Sequence, residues 1–140
     1  MKSLRVLLMM ILALAASFPA AAQRKPVPVI NYENVAVAGP AGKTLSAAEV
    51  KQAIQSAAAA KQWDLADQGP GRMLATLHVR GKHTAMTEIR YTPERFSLVY
   101  KDSMNLKYVP APDGTGLIHP FYNRWAEELK EAIRTALAKS

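Results

Sequence analysis

The sequence contains no cysteine. This absence excludes disulfide bonds, catalysis by a thiol and metal sites with cysteine ligands. It also excludes a lipid anchor on an N-terminal cysteine, because Ser17 follows Leu14-Ala15-Ala16 where a lipoprotein would carry Cys. A folded domain of this chain must therefore be stable without disulfide cross-links.

Long apolar runs are also scarce. After residue 22 no run is long and apolar enough for a transmembrane helix. The run from Val6 to Ala16 has 11 residues, too few to span a bilayer, and it follows the positive charges of Lys2 and Arg5. Ala20 and Ala22 then form an A-x-A site. This pattern predicts a secretory signal peptide over residues 1–22, cleaved after Ala22, and a bacterial protein that is periplasmic or secreted.

Removal of residues 1–22, which carry two cations and no acid, leaves 118 residues and lowers the net charge from +7 to +5. A chain of this size buries roughly two thirds of its unfolded surface, which is enough for one domain. Residues 23–45 are polar and rich in proline, so we predict an extended arm with an edge strand over Val29–Val37. Residues 46–140 are predicted to form a single α+β domain.

Two segments have helical signals. Ser46 and Glu49 have the spacing of a capping box, and the helix that they begin is expected to run to about Gln62. A second helix is predicted from Pro120, which suits the first helical turn. Its apolar residues recur at three and four positions, and Trp125 is expected to be buried against the sheet. The stripe consists of Tyr122, Trp125, Leu129, Ala132, Ile133 and Ala136.

Between the two helices the apolar period changes to two, which predicts strands. We expect four, over Trp63–Asp67, Met73–Arg80, Thr84–Tyr91 and Phe96–Lys101. The loop Thr92–Arg95 pairs Tyr91 with Phe96, and a three-residue loop at residues 81–83 sets Val79 opposite Ala85. The predicted fold is a two-layer α+β sandwich: an antiparallel four-stranded meander, two helices packed on one face, and a possible extra N-terminal edge strand.

Three stretches of the sequence carry a family resemblance. They are Ile89-Arg90-Tyr91, the run from Phe96 to Tyr108, and the run from Ile118 to Trp125. Together they resemble a family of small bacterial exported proteins, many of which look like lipoproteins, and the likeness extends from about Val50 onward. The family has no assigned activity, cofactor or catalytic residue. The resemblance therefore implies an exported envelope protein and transfers no mechanism, and Ser17 departs from the family's lipid-anchored pattern.

The loop before the second helix allows two interpretations. Ser103, His119 and either Asp102 or Asp113 could form a nucleophile, a base and an orienting acid, which would make the protein a small hydrolase. The sequence has no G-x-S-x-G elbow, however. The favoured interpretation is a structural latch whose polar side chains satisfy backbone groups and whose tyrosines stack. Its members are Asn105, Tyr108, His119, Tyr122 and Asn123.

The outer face of the predicted sheet is basic. It holds His78, Arg80, Arg90 and Lys101 against the single acid Glu88. This face carries no aromatic side chain on which bases could stack, so nucleic acid is not the expected partner. The three histidines lack ligand spacing, so we expect no metal or cofactor. The preferred function is a non-catalytic binding or accessory module of the cell envelope, with an envelope protein, an anionic polymer or a lipid surface as partner.

The first prediction concerns export. Protein recovered from the periplasm or the medium should begin at Gln23, because the A-x-A site directs cleavage after Ala22. Intact mass spectrometry measures this directly. A recovered protein that retains residues 1–22 would contradict the prediction.

Overall fold

The computed structural model describes residues 24–140, and the predicted signal peptide over residues 1–22 lies outside this part. The described chain is α+β, with two antiparallel sheets and two helices. The helices are α1 (Ala47–Ala60) and α2 (Pro120–Leu137). The strands are β1 (Val27–Pro28), β2 (Tyr32–Ala36), β3 (Asp64–Asp67), β4 (Arg72–Val79), β5 (His83–Tyr91), β6 (Arg95–Met104), β7 (Val109–Pro110) and β8 (Gly116–Ile118).

Helix α1 begins as its sequence predicts. The Ser46 hydroxyl accepts a hydrogen bond from the Glu49 amide at 3.1 Å, and the Glu49 carboxylate accepts one from the Ser46 amide at 3.2 Å. The capping box is therefore confirmed. The helix ends at Ala60, two residues before the expected end, and Gln62 then takes a left-handed conformation with φ of 65°.

The large sheet has five strands in the order β2-β6-β5-β4-β3. Strands β3 to β6 are neighbours in chain order, and β2 adds a fifth strand beside β6. The expected four-stranded meander is therefore extended by β2, which lies within the segment Val29–Val37 where an edge strand was predicted. A second sheet, of order β1-β8-β7, was not predicted. Its strands have only two or three residues, too few to show a period in the sequence.

The two long hairpins test the predicted register. The β5–β6 register is confirmed, with Tyr91 opposite Phe96. The β4–β5 register is wrong by two residues, because Val79 lies opposite His83 rather than Ala85. The loop here is residues 80–82, where Arg80 and Gly81 both have positive φ and the Lys82 amide bonds the Val79 carbonyl at 3.1 Å. Such a turn matches the twist of a hairpin, and a shift of two leaves every side chain on its predicted face.

The core lies between one face of the large sheet and the two helices. On α2 the buried residues are Tyr122, Ala126, Leu129, Ile133 and Leu137. Trp125 is only partly buried, so the expectation that it fills the core is wrong. The buried stripe is centred on Leu129 and Ile133, and residue 125 lies at its edge. The Trp125 ring instead packs beside Phe121, with ring centroids 5.6 Å apart.

The second prediction ranks two truncations of α2. Leu129→Ala should lower the free energy of unfolding by about 2–5 kcal/mol, because it opens a cavity under a fully buried side chain. Trp125→Ala should cost less, although more atoms are removed, because that side chain is only partly buried and lies at the edge of the core. Urea denaturation of both variants measures the order. A larger loss for Trp125→Ala would contradict this account of the core.

Candidate functional site

An ion cluster lies on the outer face of the large sheet. Arg72 and Arg90 are directly opposite each other on β4 and β5, and Glu88 is two residues before Arg90 on the same face. The Glu88 carboxylate accepts from Arg72 Nη2 at 2.8 Å and Nε at 3.0 Å, and from Arg90 Nη2 at 3.2 Å. Only 9% of the Glu88 side chain is exposed, against 56% and 55% for the two arginines.

This geometry places the negative charge of Glu88 between the positive charges of Arg72 and Arg90. Two cations directly opposite each other on neighbouring strands repel, and a carboxylate between them removes the conflict. The hydrogen bond from Arg90, with that from Arg72, lowers the pKa of Glu88 although burial acts in the opposite direction. Each guanidinium has five N–H donors, and the contacts to Glu88 use two on Arg72 and one on Arg90. The remaining donors belong to half-exposed side chains.

A shallow cleft of about 440 Å³ adjoins this cluster, and we call it the arginine cleft. Arg72, Arg90 and Arg95 line it, together with Glu33 and the turn at Gly71. The Gly71 carbonyl accepts from the Tyr91 amide at 2.9 Å. A Cβ at position 71 would lie 3.0 Å from the Tyr91 carbonyl oxygen, and φ is 72°, so glycine allows the close approach of β4 to β5 here.

The structure does not gather the four basic residues that the sequence placed on one docking face. Arg90 lies in the arginine cleft. His78 is near the other end of β4, where its Nδ1 is 3.2 Å from the Thr84 hydroxyl, and Arg80 is in the following turn. Six residues separate Thr84 from Arg90 along β5, which is roughly 20 Å. Lys101 is exposed at an irregularity in the β5–β6 pairing.

Sequence reasoning missed Arg72 and Arg95. The two-residue error in register set Arg90 opposite Leu74, so Arg72 had no visible partner. Arg95 was assigned to a loop, whereas it is the first residue of β6. The available signal was the pair Arg72 and Glu88, which becomes adjacent only in the correct register.

The Ser103 and His119 side chains have other partners. The Ser103 hydroxyl is 2.8 Å from the Tyr100 hydroxyl. His119 caps α2: its Nδ1 accepts from the Phe121 amide at 3.1 Å. Burial, with the nearby charge of Arg24, lowers the pKa of His119, which suits a neutral ring that accepts at Nδ1. Within residues 24–140 no hydrogen bond joins Ser103 to His119.

Asn105 and Asn123 bond backbone groups on distant segments. Asn105 Nδ2 donates to the Lys82 carbonyl at 2.5 Å. Asn123 donates to the Pro28 carbonyl at 2.9 Å and accepts from the Ile30 amide at 3.0 Å, so its amide binds the N-terminal arm as a strand would. These contacts link the arm, the β4–β5 turn and the loop after β6 to the rest of the domain.

The tyrosines of the predicted latch pack together around Tyr100. The Tyr108 ring stacks on the Tyr100 ring with centroids 4.4 Å apart, and the Tyr122 ring meets it edge-on at 5.2 Å. The Tyr122 hydroxyl bonds Thr87 at 3.4 Å inside the core. Burial raises the pKa of Tyr122 to about 12. Tyr122 is therefore protonated at neutral pH and can donate the hydrogen bond to Thr87.

A cavity of about 1000 Å³ forms a groove between α1 and α2. Alanines such as Ala53, Ala57 and Ala132 line it, and charges of both signs form its rims. No group of three or more His, Asp or Glu side chains in residues 24–140 is arranged to hold a metal ion. None of the helices described is long and apolar enough to cross a membrane.

Comparison of the chain with protein-family models, with curated proteins and with solved structures returns no significant match. The likeness to small exported proteins therefore remains a resemblance carried by the residues quoted above. The functional argument rests on the geometry of this chain alone.

The third prediction concerns pH. Because the folded-state pKa of Glu88 is lowered, its contribution to stability is present above the unfolded-state pKa and is lost as the pH falls through the folded-state value. Glu88→Gln should therefore lower the free energy of unfolding by about 1 kcal/mol at neutral pH. The difference in the free energy of unfolding between Glu88→Gln and wild type should disappear in acid. Urea denaturation from neutral pH down to the acid limit of the fold measures it.

The matched control is Glu94→Gln, an exposed acid in the β5–β6 turn for which the described structure gives no ion pair. Its stability should follow wild type at every pH. A gap for Glu88→Gln that stays constant with pH would show that packing, rather than charge, stabilises this site.

Proposed function

We propose that the protein is a non-catalytic binding module of the bacterial cell envelope, exported to the periplasm or secreted. In this proposal the arginine cleft binds a carboxylate or phosphate group of an anionic envelope polymer. In this proposal the domain has two layers. Both helices cover one face of the large sheet, and the other face is left for the partner. The observation that carries the proposal is the buried Glu88 carboxylate that holds Arg72 and Arg90 side by side.

Holding the arginines in place favours binding. A free arginine side chain loses rotamer entropy when it fixes a ligand, and much of this loss has already occurred where Glu88 orients the two guanidiniums. A guanidinium presents a planar fork of donors that matches a carboxylate or a phosphate with two parallel hydrogen bonds. Arg95 adds a third cation at the same cleft. With three arginines against Glu88 and Glu33, the cleft keeps a net positive charge.

The surroundings of Ser103 and His119 support a non-catalytic role over the alternative, a small hydrolase. A serine nucleophile needs a base within hydrogen-bond reach. Here the Ser103 hydroxyl bonds Tyr100, and the His119 nitrogen that could accept a proton caps a helix instead.

The predicted export of the chain is consistent with an anionic envelope polymer as the partner. The chain carries the pattern of a signal peptide, has no cysteine and keeps a net charge of +5 after the predicted cleavage. A positive protein outside the cytoplasmic membrane meets acidic glycans and phosphate polymers, to which opposite charge attracts it.

The fourth prediction is the test of this function. The mature chain, residues 23–140, should bind polygalacturonate, a carboxylate polymer, or inorganic polyphosphate, and the affinity should fall steeply as salt rises. Arg95→Gln removes a cleft cation without touching Glu88 and should weaken binding several-fold. Arg72→Lys keeps the charge but removes the planar fork, and should also weaken binding. Fluorescence anisotropy with labelled polymer measures both.

The matched control is the double variant Arg80→Gln with Lys101→Gln. It removes two cations of the same sheet that lie outside the cleft. The control should bind nearly as wild type does. Equal losses in control and cleft variants would mean that overall charge, not the cleft, attracts the polymer. No binding of either polymer by wild type at low salt would overturn the proposal.

A further inference from the structure

The small sheet β1-β8-β7 has an apolar outer face. Pro28 lies opposite Leu117, and Leu117 lies opposite Val109, so these three side chains form one row across all three strands. Ile30 follows Pro28 on the same side of the arm. The exposed fractions are 43% for Leu117, 55% for Val109 and 47% for Ile30. We call these four residues the apolar row.

A sheet with one buried and one solvent-exposed face usually carries polar side chains on the exposed face. The apolar row departs from this pattern. On the inner side, Gly116 and Ile118 are buried, and Ile118 is part of the core. Alternation should then place polar side chains outside. Isolated exposed apolar residues need no explanation, but strand register makes these contiguous. Contiguous apolar surface on a folded chain marks a site of interaction.

Cations flank the row at both edges. Lys25 is two residues before β1, and Lys107 is two residues before Val109. Arg24 and Lys107 are both near enough to His119 to act on its charge, which places them around the start of α2. Lys107 is also held at φ of 54°, a left-handed conformation that is costly for lysine.

One acid, Asp113, is in the loop between β7 and β8. Its carboxylate accepts from the Thr115 hydroxyl at 2.6 Å and from the Thr115 amide at 3.1 Å. Against Arg24, Lys25 and Lys107, it leaves the border of the row positive.

We propose that the apolar row docks the protein on an anionic phospholipid surface. Val109, Leu117 and their neighbours enter the boundary between headgroups and acyl chains, and Lys25 and Lys107 pair with lipid phosphates. Apolar side chains bordered by lysine and arginine are what interfacial binding to an anionic membrane requires. Neither feature alone gives stable attachment, but the two act together.

A second copy of the chain fits this surface less well. Four half-exposed side chains present far less than the roughly 800 Å² per partner of a specific protein interface. Lipid can surround a small apolar row, whereas a second protein must match its shape over a wider area.

The Lys107 border of the row lies away from the arginine cleft. The His83 ring, on the first residue of β5, bonds the Asn105 carbonyl at 2.9 Å, two residues before Lys107. The cleft is at Tyr91, the last residue of the same strand, and a nine-residue strand is roughly 27 Å long. At the other border, Ile30 is three residues before Glu33 of the cleft. This inference stands independently of the proposed function.

The fifth prediction uses cosedimentation of the mature chain with two kinds of vesicle at low and physiological salt. Wild type should bind vesicles of phosphatidylglycerol and phosphatidylcholine, and bind pure phosphatidylcholine at least tenfold more weakly. Val109→Ser with Leu117→Ser should reduce binding to anionic vesicles about tenfold. Lys25→Glu with Lys107→Glu should do the same. All four positions are exposed, so the fold should persist, and circular dichroism checks it.

The matched control is Lys61→Glu with Lys139→Glu, which makes the same change of charge on the helical side of the domain. It should bind as wild type does, and so should Arg95→Gln, which separates this site from the arginine cleft. The proposal is overturned if wild type binds neither vesicle, or if control and Lys25/Lys107 variants lose binding equally. It is also overturned if light scattering shows a dimer that the Val109/Leu117 variant abolishes while vesicle binding is unchanged.

Discussion

The large sheet has one apolar face that must be covered, and the contact between α2 and the central strand β5 meets this requirement. Tyr122 is the largest fully buried side chain, and it places a hydroxyl inside the core. That hydroxyl donates to Thr87, whose own hydroxyl donates to the Val99 carbonyl. Two polar groups that would each be costly to bury alone therefore satisfy each other. Without α2, the Thr87 hydroxyl would lose its contact with Tyr122, and the part of the sheet that α2 covers would be open to water.

The same strand connects the core contact with α2 to the ion cluster on the outer face. Thr87 points inward and Glu88, the next residue, points outward, as alternation along a strand requires. Packing of α2 on the inside thus fixes the backbone from which Glu88 orients Arg72 and Arg90 on the outside. Three neighbouring strands of a well-packed sheet support the three arginines better than loops would, because loops are the more mobile parts of a fold.

The sequence was enough to predict the features that have local signals. The capping box at Ser46, the proline at the start of α2 and the β5–β6 loop at residues 92–95 each have a specific residue chemistry. The β4–β5 register was not predictable in this way, because a shift of two keeps every side chain on its face. That shift hid the ion cluster, which depends on Arg72 lying opposite Arg90. The small sheet was not predicted because its strands have only two or three residues and β1 is far from β8 along the chain.

The amide of Asn123 has a consequence for the order in which the protein folds. It binds backbone groups of Pro28 and Ile30, which are 95 and 93 residues away along the chain. Contacts of such separation form late, since the entropy of closing a long loop must be overcome before they contribute. The first described segment to be synthesised is thus held by nearly the last. The contacts of Asn123 with the arm therefore require that the start of α2 has been synthesised and has folded, whereas the pairing of the arm with β6 and β8 does not.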